Sequence, residues 1–546
     1  MRGEVWVMAK KGFGSFVSML LIAGLTLTGC TYQETTPKDS AQSTSSAQST
    51  QAAQSTQASA DEIRVGLDVD AGTLDSRLAR DTTAVRSAEL IYDGLIVMSS
   101  KLEPQPALAE KWENPDPVTW IFTLRKGVMF HDNTPFTAED VKYTFDTLID
   151  PSFKAPNASL FSPISKVEVV NESTVKFTLK QPYAPLLSYM DIGIVPKHIA
   201  EKKDDSLSTK PIGTGPYKFT KWDKNSKISF EANDKYWGGA PKTKKVTYYI
   251  IPDNTTRVSA LQAKDIDLVH TPLSPQDIKT MQSKKDFTVI STEGLGFTYL
   301  NFNTTNPILS DVKVRQAIAY LVDKNTISEK LYQSMDKPGK SPLIPPSWAY
   351  TDSIAGYPYD PAKAKALLAE AGWKDSDGDS ILDKNGTKLT ITLSTHTEDP
   401  NRMQAVEYLQ NEFKKVGIDT KVSTTEFATL SANLLAQKFD IALLGWLNLT
   451  DPDKAMYDKF NSKSGNNYGK YVNPKVDELL EKGRTTLNQG ERTKIYQEAA
   501  KIVTDEVAYD VLLYQGYYVV FNNNVSGFKA HPKGSMYSLK DVVIKK

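Results

Sequence analysis

Between residues 388 and 446 the spacing of apolar residues switches repeatedly between two periods. Residues 388–394 alternate as a strand, 401–415 repeat as a helix and 418–424 alternate again. Residues 430–437 return to helix, and 439–446 form an apolar strand. A chain alternating in this way is a layered α/β lobe, because helices must cover the sheet that their flanking strands build. An earlier run does the same: strand 246–251, the segment PDNTTRVSALQAKDIDLV, then a second strand, which fits a right-handed crossover. At 546 residues the chain exceeds what one core organises, since single cores stop growing near about 250–300 residues. At least two lobes are expected.

Residues 107–148 read ALAEKWENPDPVTWIFTLRKGVMFHDNTPFTAEDVKYTFDTL. Val118, Trp120, Phe122 and Leu124 alternate with Thr119, Ile121 and Thr123, the period of a strand with one face more buried. Thr137 stands three residues before Asp140, a capping-box-like helix start, and Asp150-Pro151 stops that helix. Two strands at 167–170 and 174–179 follow as a hairpin, and a helix is expected over 87–95, ending in YDGL.

The wording of these passages is more specific than their period. ALAEKWE, W-x-F-x-L-R-K-G-V-x-F-H-D and T-P-F-T-A-E-D-V-x-Y-T-F resemble the signature of the family 5 extracellular solute-binding proteins, the peptide, dipeptide and nickel receptors of bacterial ABC importers. IGTGPYKF, NDKYWGGAP and SDVKVRQAIAYLVDKNTI carry the resemblance further along the chain. It implies an α/β, two-lobed periplasmic-binding-protein-like fold of type II, of the large cluster C kind, with mixed sheets and a two-strand hinge. The implied layout has a first lobe over 61–300, with a subdomain inserted at about 95–205, and a second lobe over 301–505. The segment 506–546 returns to the first lobe. Crossings near 294–303 and 505–514 would make the hinge on which the lobes close.

The N-terminus fits that setting. Lys10 and Lys11 precede an apolar run over 13–27 that is shorter than the roughly 20 residues of a membrane-spanning helix. A basic start, a short apolar centre and Leu27-Thr28-Gly29-Cys30 read as a signal peptide over 1–29. Its ending resembles a lipobox that makes Cys30 the lipidated first residue. Cys30 is the only cysteine, so the chain holds no internal disulfide or thiolate metal cluster. Residues 31–60 are Ser, Thr, Gln and Ala with AQST repeated, too poor in apolar side chains to fold. As a flexible leash they reach roughly 30 Å. The protein is therefore expected on the extracytoplasmic face of the membrane, lipid-anchored and monomeric.

Lys+Arg and Asp+Glu are both 65, and no basic stripe calls for a nucleic-acid partner. The best site candidate is Gly445-Trp446-Leu447-Asn448-Leu449-Thr450-Asp451-Pro452-Asp453, leaving a buried strand where ligands of open α/β sheets sit. In the resembling family this loop lines the cleft, and peptide receptors commonly carry an aspartate shortly after the tryptophan. Here Asn448 stands nearest that place in a loop one residue shorter, and a neutral amide cannot make the charge-assisted bond. The expected ligand contacts are Gly445, Trp446, Asn448, Thr450 and Asp451, with Gly72 after the first strand and Tyr514 on the returning one. The alternative is that Trp446 is core and the loop a turn. An oligopeptide or dipeptide is the expected solute, with an ABC permease and its ATPase as partners. A nickel or metal-chelate or glycoside ligand is the alternative.

No resident metal, cofactor or enzymatic activity is expected. Asp375–Asp383 places oxygens as a calcium loop does, but Gly386 stands where the bidentate glutamate belongs. Gly339-Lys340-Ser341 lacks the first glycine of a phosphate loop, and Gly213-Thr214-Gly215 is followed by Pro216 instead of a helix start. G-x-S-x-G is absent, which leaves a secreted hydrolase without its nucleophile motif. A lipoprotein that only senses its solute remains a further alternative.

Overall fold

The computed structural model describes residues 61–202, 204–271 and 273–545. The signal segment, Cys30 and the leash lie outside the described residues. No helix among the described residues is long and apolar enough to cross a membrane.

One mixed sheet of eleven strands runs through both lobes. Its order is Asp419–Thr425, Thr390–His396, Ile441–Trp446, Phe287–Phe302, Tyr509–Asn522, Leu268–Val269, Glu62–Leu67, Lys245–Ile250, Lys227–Ala232 and Tyr217–Asp223. Lys337–Pro338 is added against Tyr509–Asn522. The second-lobe strands Asp419–Thr425, Thr390–His396 and Ile441–Trp446 are parallel. In the first lobe Glu62–Leu67 lies parallel between Lys245–Ile250 and Leu268–Val269, so the helix Asn254–Gln262 crosses over the strand between its neighbours. The alternation in the sequence predicts both arrangements.

The two strands that join the lobes are Phe287–Phe302 and Tyr509–Asn522, antiparallel to each other with a register shift between Glu293 and Phe297. They are longer than the sequence suggests. The half of the first strand from Phe287 to Glu293 is only partly buried on either face, so no clean alternation marks it.

Ala109–Asp116, Thr119–Leu124, Thr174–Leu179 and Ile164–Asn171 form a separate antiparallel sheet of four strands. Trp120, Phe122 and Leu124 are buried, as their alternation requires. Phe122 and Phe145 both meet Phe177 edge-on, at 5.4 and 4.9 Å between ring centroids. Such pairs each add roughly 0.5–1.5 kcal/mol beyond the area buried. The helix Ala138–Ile149 begins at the expected capping box: Asp140 Oδ2 accepts from Thr137 N–H at 2.8 Å, and Thr137 Oγ1 accepts from Glu139 N–H.

The helix expected at 87–95 spans Thr82–Ile91. Asp81 starts it earlier by accepting from Ala84 N–H at 2.7 Å, and Tyr92 leaves it in extended geometry. Asp93 is buried, and its carboxylate accepts from Thr214 Oγ1 at 2.8 Å, Tyr236 Oη at 2.8 Å and Trp237 Nε1 at 2.9 Å. The YDGL, IGTGPYKF and NDKYWGGAP passages thus converge on one carboxylate. His131 of the F-H-D passage ties in as well. Its Nδ1 accepts from Gly213 N–H, so its Nε2–H donates to Gly215 O at 3.0 Å. Burial pushes its pKa down to about 4, which keeps the ring neutral. A Cβ on Gly213 would lie 2.0 Å from Ile91 O, so this glycine is required by close approach to the helix end and not by a phosphate.

Candidate ligand-binding site

The three parallel strands of the second lobe end together and deliver His396, Thr425 and Trp446 to one carboxyl edge. The helix Pro400–Lys414 starts there, N-capped by Asp399. Arg402, in its first turn, reaches back across the edge. Its Nε lies 3.1 Å from Asp399 Oδ2, and its Nη1 donates to His396 Nε2 at 2.8 Å. His396 must then carry its proton on Nδ1, which donates to Glu398 Oε2 at 3.0 Å. Nη2 of Arg402 lies against Gly445, only 2.1 Å from where a Cβ would stand, and has no hydrogen-bond partner among the described residues. Gly445 is therefore the seat of a guanidinium. Sequence reasoning missed Arg402 because the contact crosses 43 positions (445 less 402). The small residue beside a tryptophan was the available signal.

Trp446 is half-buried, in near-parallel stacks with Tyr299 at 6.2 Å and Tyr468 at 5.9 Å between centroids. Lys459 Nζ stands 3.3 Å from its ring centroid, a cation–π contact held by the Asp458 carboxylate at 2.5 Å. Leu447 and Asn448 are exposed, and Phe427, just after the strand Asp419–Thr425 two places across the sheet, is exposed too. Asn448 has φ +57°, a left-handed backbone that asparagine tolerates better than most residues. Its backbone carbonyl accepts from Thr450 N–H at 3.0 Å, and Thr450 is half-buried.

Asp451 is buried and its carboxylate is engaged. It caps the helix Pro452–Phe460 through Asp453 N–H, pairs with Arg492 at 2.9 Å and accepts from Ser188 Oγ at 3.1 Å. Asp453 pairs with Arg484 through two bonds of 3.1 and 2.8 Å. The D-P-D passage thus braces the loop against the helices Pro474–Thr485 and Gln489–Asp505 and against Ser188.

Tyr514 lies two strands away from Trp446, with Phe297 opposite both. It is buried, and its hydroxyl donates to Ser341 O and accepts from Ser341 N–H, both at 3.0 Å. Gly72 stands apart in the first lobe, its N–H donating to Asp81 Oδ2 at 2.9 Å. The structure thus gathers Gly445, Trp446, Asn448, Thr450 and Asp451 in one loop, sets Tyr514 in the sheet beside it, and keeps Gly72 on the other lobe.

Asp336, also missed in the sequence, accepts from Gly516 N–H at 3.0 Å beside the crossing strands. Desolvation pushes its carboxyl up to about 6, and the Asp399 carboxylate adds to the rise. A raised folded-state pKa gives stability that is present below the unfolded value near 4 and lost as pH rises through 6. Asp336→Asn keeps the acceptor for Gly516, so it is expected to stabilise the protein at pH 7.5 by roughly 2 kcal/mol. The gain should vanish at pH 4, and urea titrations at the two pH values check it.

The acidic loop is satisfied internally. Asp375, Asp377 and Asp383 cluster, and Lys388 Nζ lies 2.7 Å from Asp377, 2.9 Å from Asp379 and 3.8 Å from Asp383. An ammonium stands where a cation would.

Residues 103–468 match the family model described as bacterial extracellular solute-binding proteins, family 5 middle. The chain belongs to that family. The oligopeptide-binding protein AppA of Bacillus subtilis is 30% identical over 541 residues, covering 96% of this chain and 97% of that one. The structure of AppA with a nonapeptide superposes with a TM-score of 0.72 at 29% identity, over 89% of this chain and 99% of that one. NikZ from Campylobacter jejuni in complex with Ni(L-His) superposes at 0.75 and 29% identity, covering 89% and 100%. Family 5 membership makes this chain a solute-binding protein, and the carboxyl edge of the second lobe is where such a sheet presents a ligand.

Proposed function

We propose that this protein captures oligopeptides or dipeptides between its lobes outside the cell membrane and delivers them to an ABC permease. Cys30 anchors it through lipid, and residues 31–60 give it reach. The lobes take the bounds 61–300 and 301–505, with 506–546 returning to the first, and the protein acts as a monomer that binds without chemistry. Closure on the hinge follows the solute's preference for the closed form.

The observation that carries this reading is Arg402 Nη2, an unengaged donor laid on Gly445 beside Trp446. Its charge is balanced by Asp399, so it suits a neutral peptide carbonyl, while Trp446, Leu447 and Phe427 offer apolar contact. AppA and the Escherichia coli dipeptide-binding protein, 31% identical over 484 residues, support a peptide by their names. A metal chelate is the second reading, favoured by NikZ and by Asn448 standing where a carboxylate is expected. It is less well served here, because both ring nitrogens of His396 are engaged.

Mass spectrometry of small molecules released on denaturing the purified, unlipidated protein tests the reading. Short peptides support it, and a single non-peptide species sinks it. Trp446→Ala is expected to weaken peptide binding about 10- to 100-fold by removing a large contact surface, as calorimetric titration would show.

A further inference from the structure

The first lobe has its own carboxyl edge. Glu62–Leu67 and Leu268–Val269 run parallel and end there, and Tyr517 of the antiparallel strand Tyr509–Asn522 lies just past the pairing of Val269 with Val520. Arg86, on the helix Thr82–Ile91, extends to this edge. It is 7% exposed, and its Nη2 donates to Tyr517 Oη at 3.3 Å. Nη1 is buried with no hydrogen-bond partner, and no carboxylate among the described residues lies within 4.0 Å of the guanidinium.

Two carboxylates, Glu89 and Asp68, act on Tyr517 together with Arg86, but neither pairs with the guanidinium directly. Tyr517 Oη also contacts His270 Nδ1 at 3.0 Å, and burial together with Arg86 holds the His270 pKa well below its ordinary value, so the ring is neutral. Glu89, one turn along the helix, accepts from Met536 N–H. Asp68, at the end of the first strand, has a buried Oδ1 with no partner. Arg64 is paired with Asp267, Arg492 with Asp451, and Arg315 is held by backbone carbonyls, while Arg257 donates to Ile251 O and Pro252 O and, like Arg86, leaves one buried nitrogen without a partner. A buried guanidinium nitrogen with no hydrogen-bonded anion is costly unless something supplies one.

We propose that Arg86 is the first lobe's ionic contact to the solute and takes its carboxylate, a site formed by Arg86 and Tyr517 across the cleft from Arg402. Asp68 Oδ1 is then free to accept from a cationic or N–H group of the same molecule, so the site selects zwitterions or free acids over neutral solutes. This rests on the reading that the solute lies between the lobes. It also removes the difficulty raised by Asn448, since the charged contact sits on the opposite lobe.

The test is calorimetric titration of wild type and Arg86→Gln with dialanine through pentaalanine, each as the free acid and as the C-terminal amide. Wild type should prefer the acid, and Arg86→Gln should lose about 30- to 100-fold for the acid while changing little for the amide. Arg86→Lys, which keeps the charge, should retain part of the preference and guards against a variant that fails to fold. Equal losses for acid and amide, or no loss, would overturn the site.

If wild type binds neither form, the peptide reading fails and a second arm judges Arg86. Succinate and citrate should raise the melting temperature of wild type but not of Arg86→Gln. An equal rise in both, or none in either, overturns the anion site.

Discussion

Replacing Asp93 with alanine is expected to destabilise the protein by about 3–5 kcal/mol, the scale of removing one partner from a buried charged network. The change strips the acceptor from Thr214 Oγ1, Tyr236 Oη and Trp237 Nε1 at once. Each donor left unsatisfied in the interior costs roughly 1–3 kcal/mol, and their sum is reduced by relaxation. Asp93→Asn should fall between wild type and alanine, because its amide oxygen still accepts. The exposed pair Lys111–Glu113 is the control, with Lys111→Ala expected within about 1 kcal/mol. Urea unfolding followed by tryptophan fluorescence measures all three. An Asp93→Ala midpoint equal to that of wild type would show that the convergence of three passages on Asp93 has no energetic weight.

The second large effect is on binding. Gly445→Ala puts a methyl group 2.1 Å from Arg402 Nη2 and 2.9 Å from Cζ, so the guanidinium must leave its seat. Gly445 lies in a strand and is not among the positions of positive φ, so alanine fits the backbone. Folding stability should therefore change little. Solute affinity should fall about 10- to 100-fold, comparable to Arg402→Ala, and the double variant should add almost nothing. Losses that add in full would mean that Gly445 acts by some route other than Arg402. Unchanged affinity in both single variants would move the solute away from this edge.

Most of the architecture was legible because it rests on period. The switches between strand and helix over 388–446 predict the parallel second-lobe strands, and the alternation of Trp120, Phe122 and Leu124 predicts the face that packs on Phe177. Capping is equally local, so Thr137 and Asp140 mark their helix, whereas the pattern over 87–95 misses the Asp81 cap and starts that helix too late. The crossing strands were underestimated because partial exposure blurs alternation.

The site divides in the same way. Sequence pattern placed the loop from Gly445 to Asp451, since a loop after a buried strand must emerge at the sheet edge. It could not assign tasks within that loop. Asp451 is held by Arg492 and Ser188, and Asn448 takes a left-handed backbone that favours its residue type. The G-T-G run owes its glycines to the backbone of a helix end far back in the chain.

The sequence by itself therefore determined what depends on neighbours within a few positions: strand and helix periods, caps, and the loop that leaves a buried strand. Only the tertiary structure decided what depends on residues distant in the chain. It brought Arg402 onto Gly445, three donors onto Asp93, Lys388 into the acidic loop, and Arg86 to a buried position with one nitrogen unpartnered. The physical reason is that charge balance and hydrogen-bond satisfaction are settled by what is close in space, and in a sheet shared between two lobes those partners come from far apart in sequence.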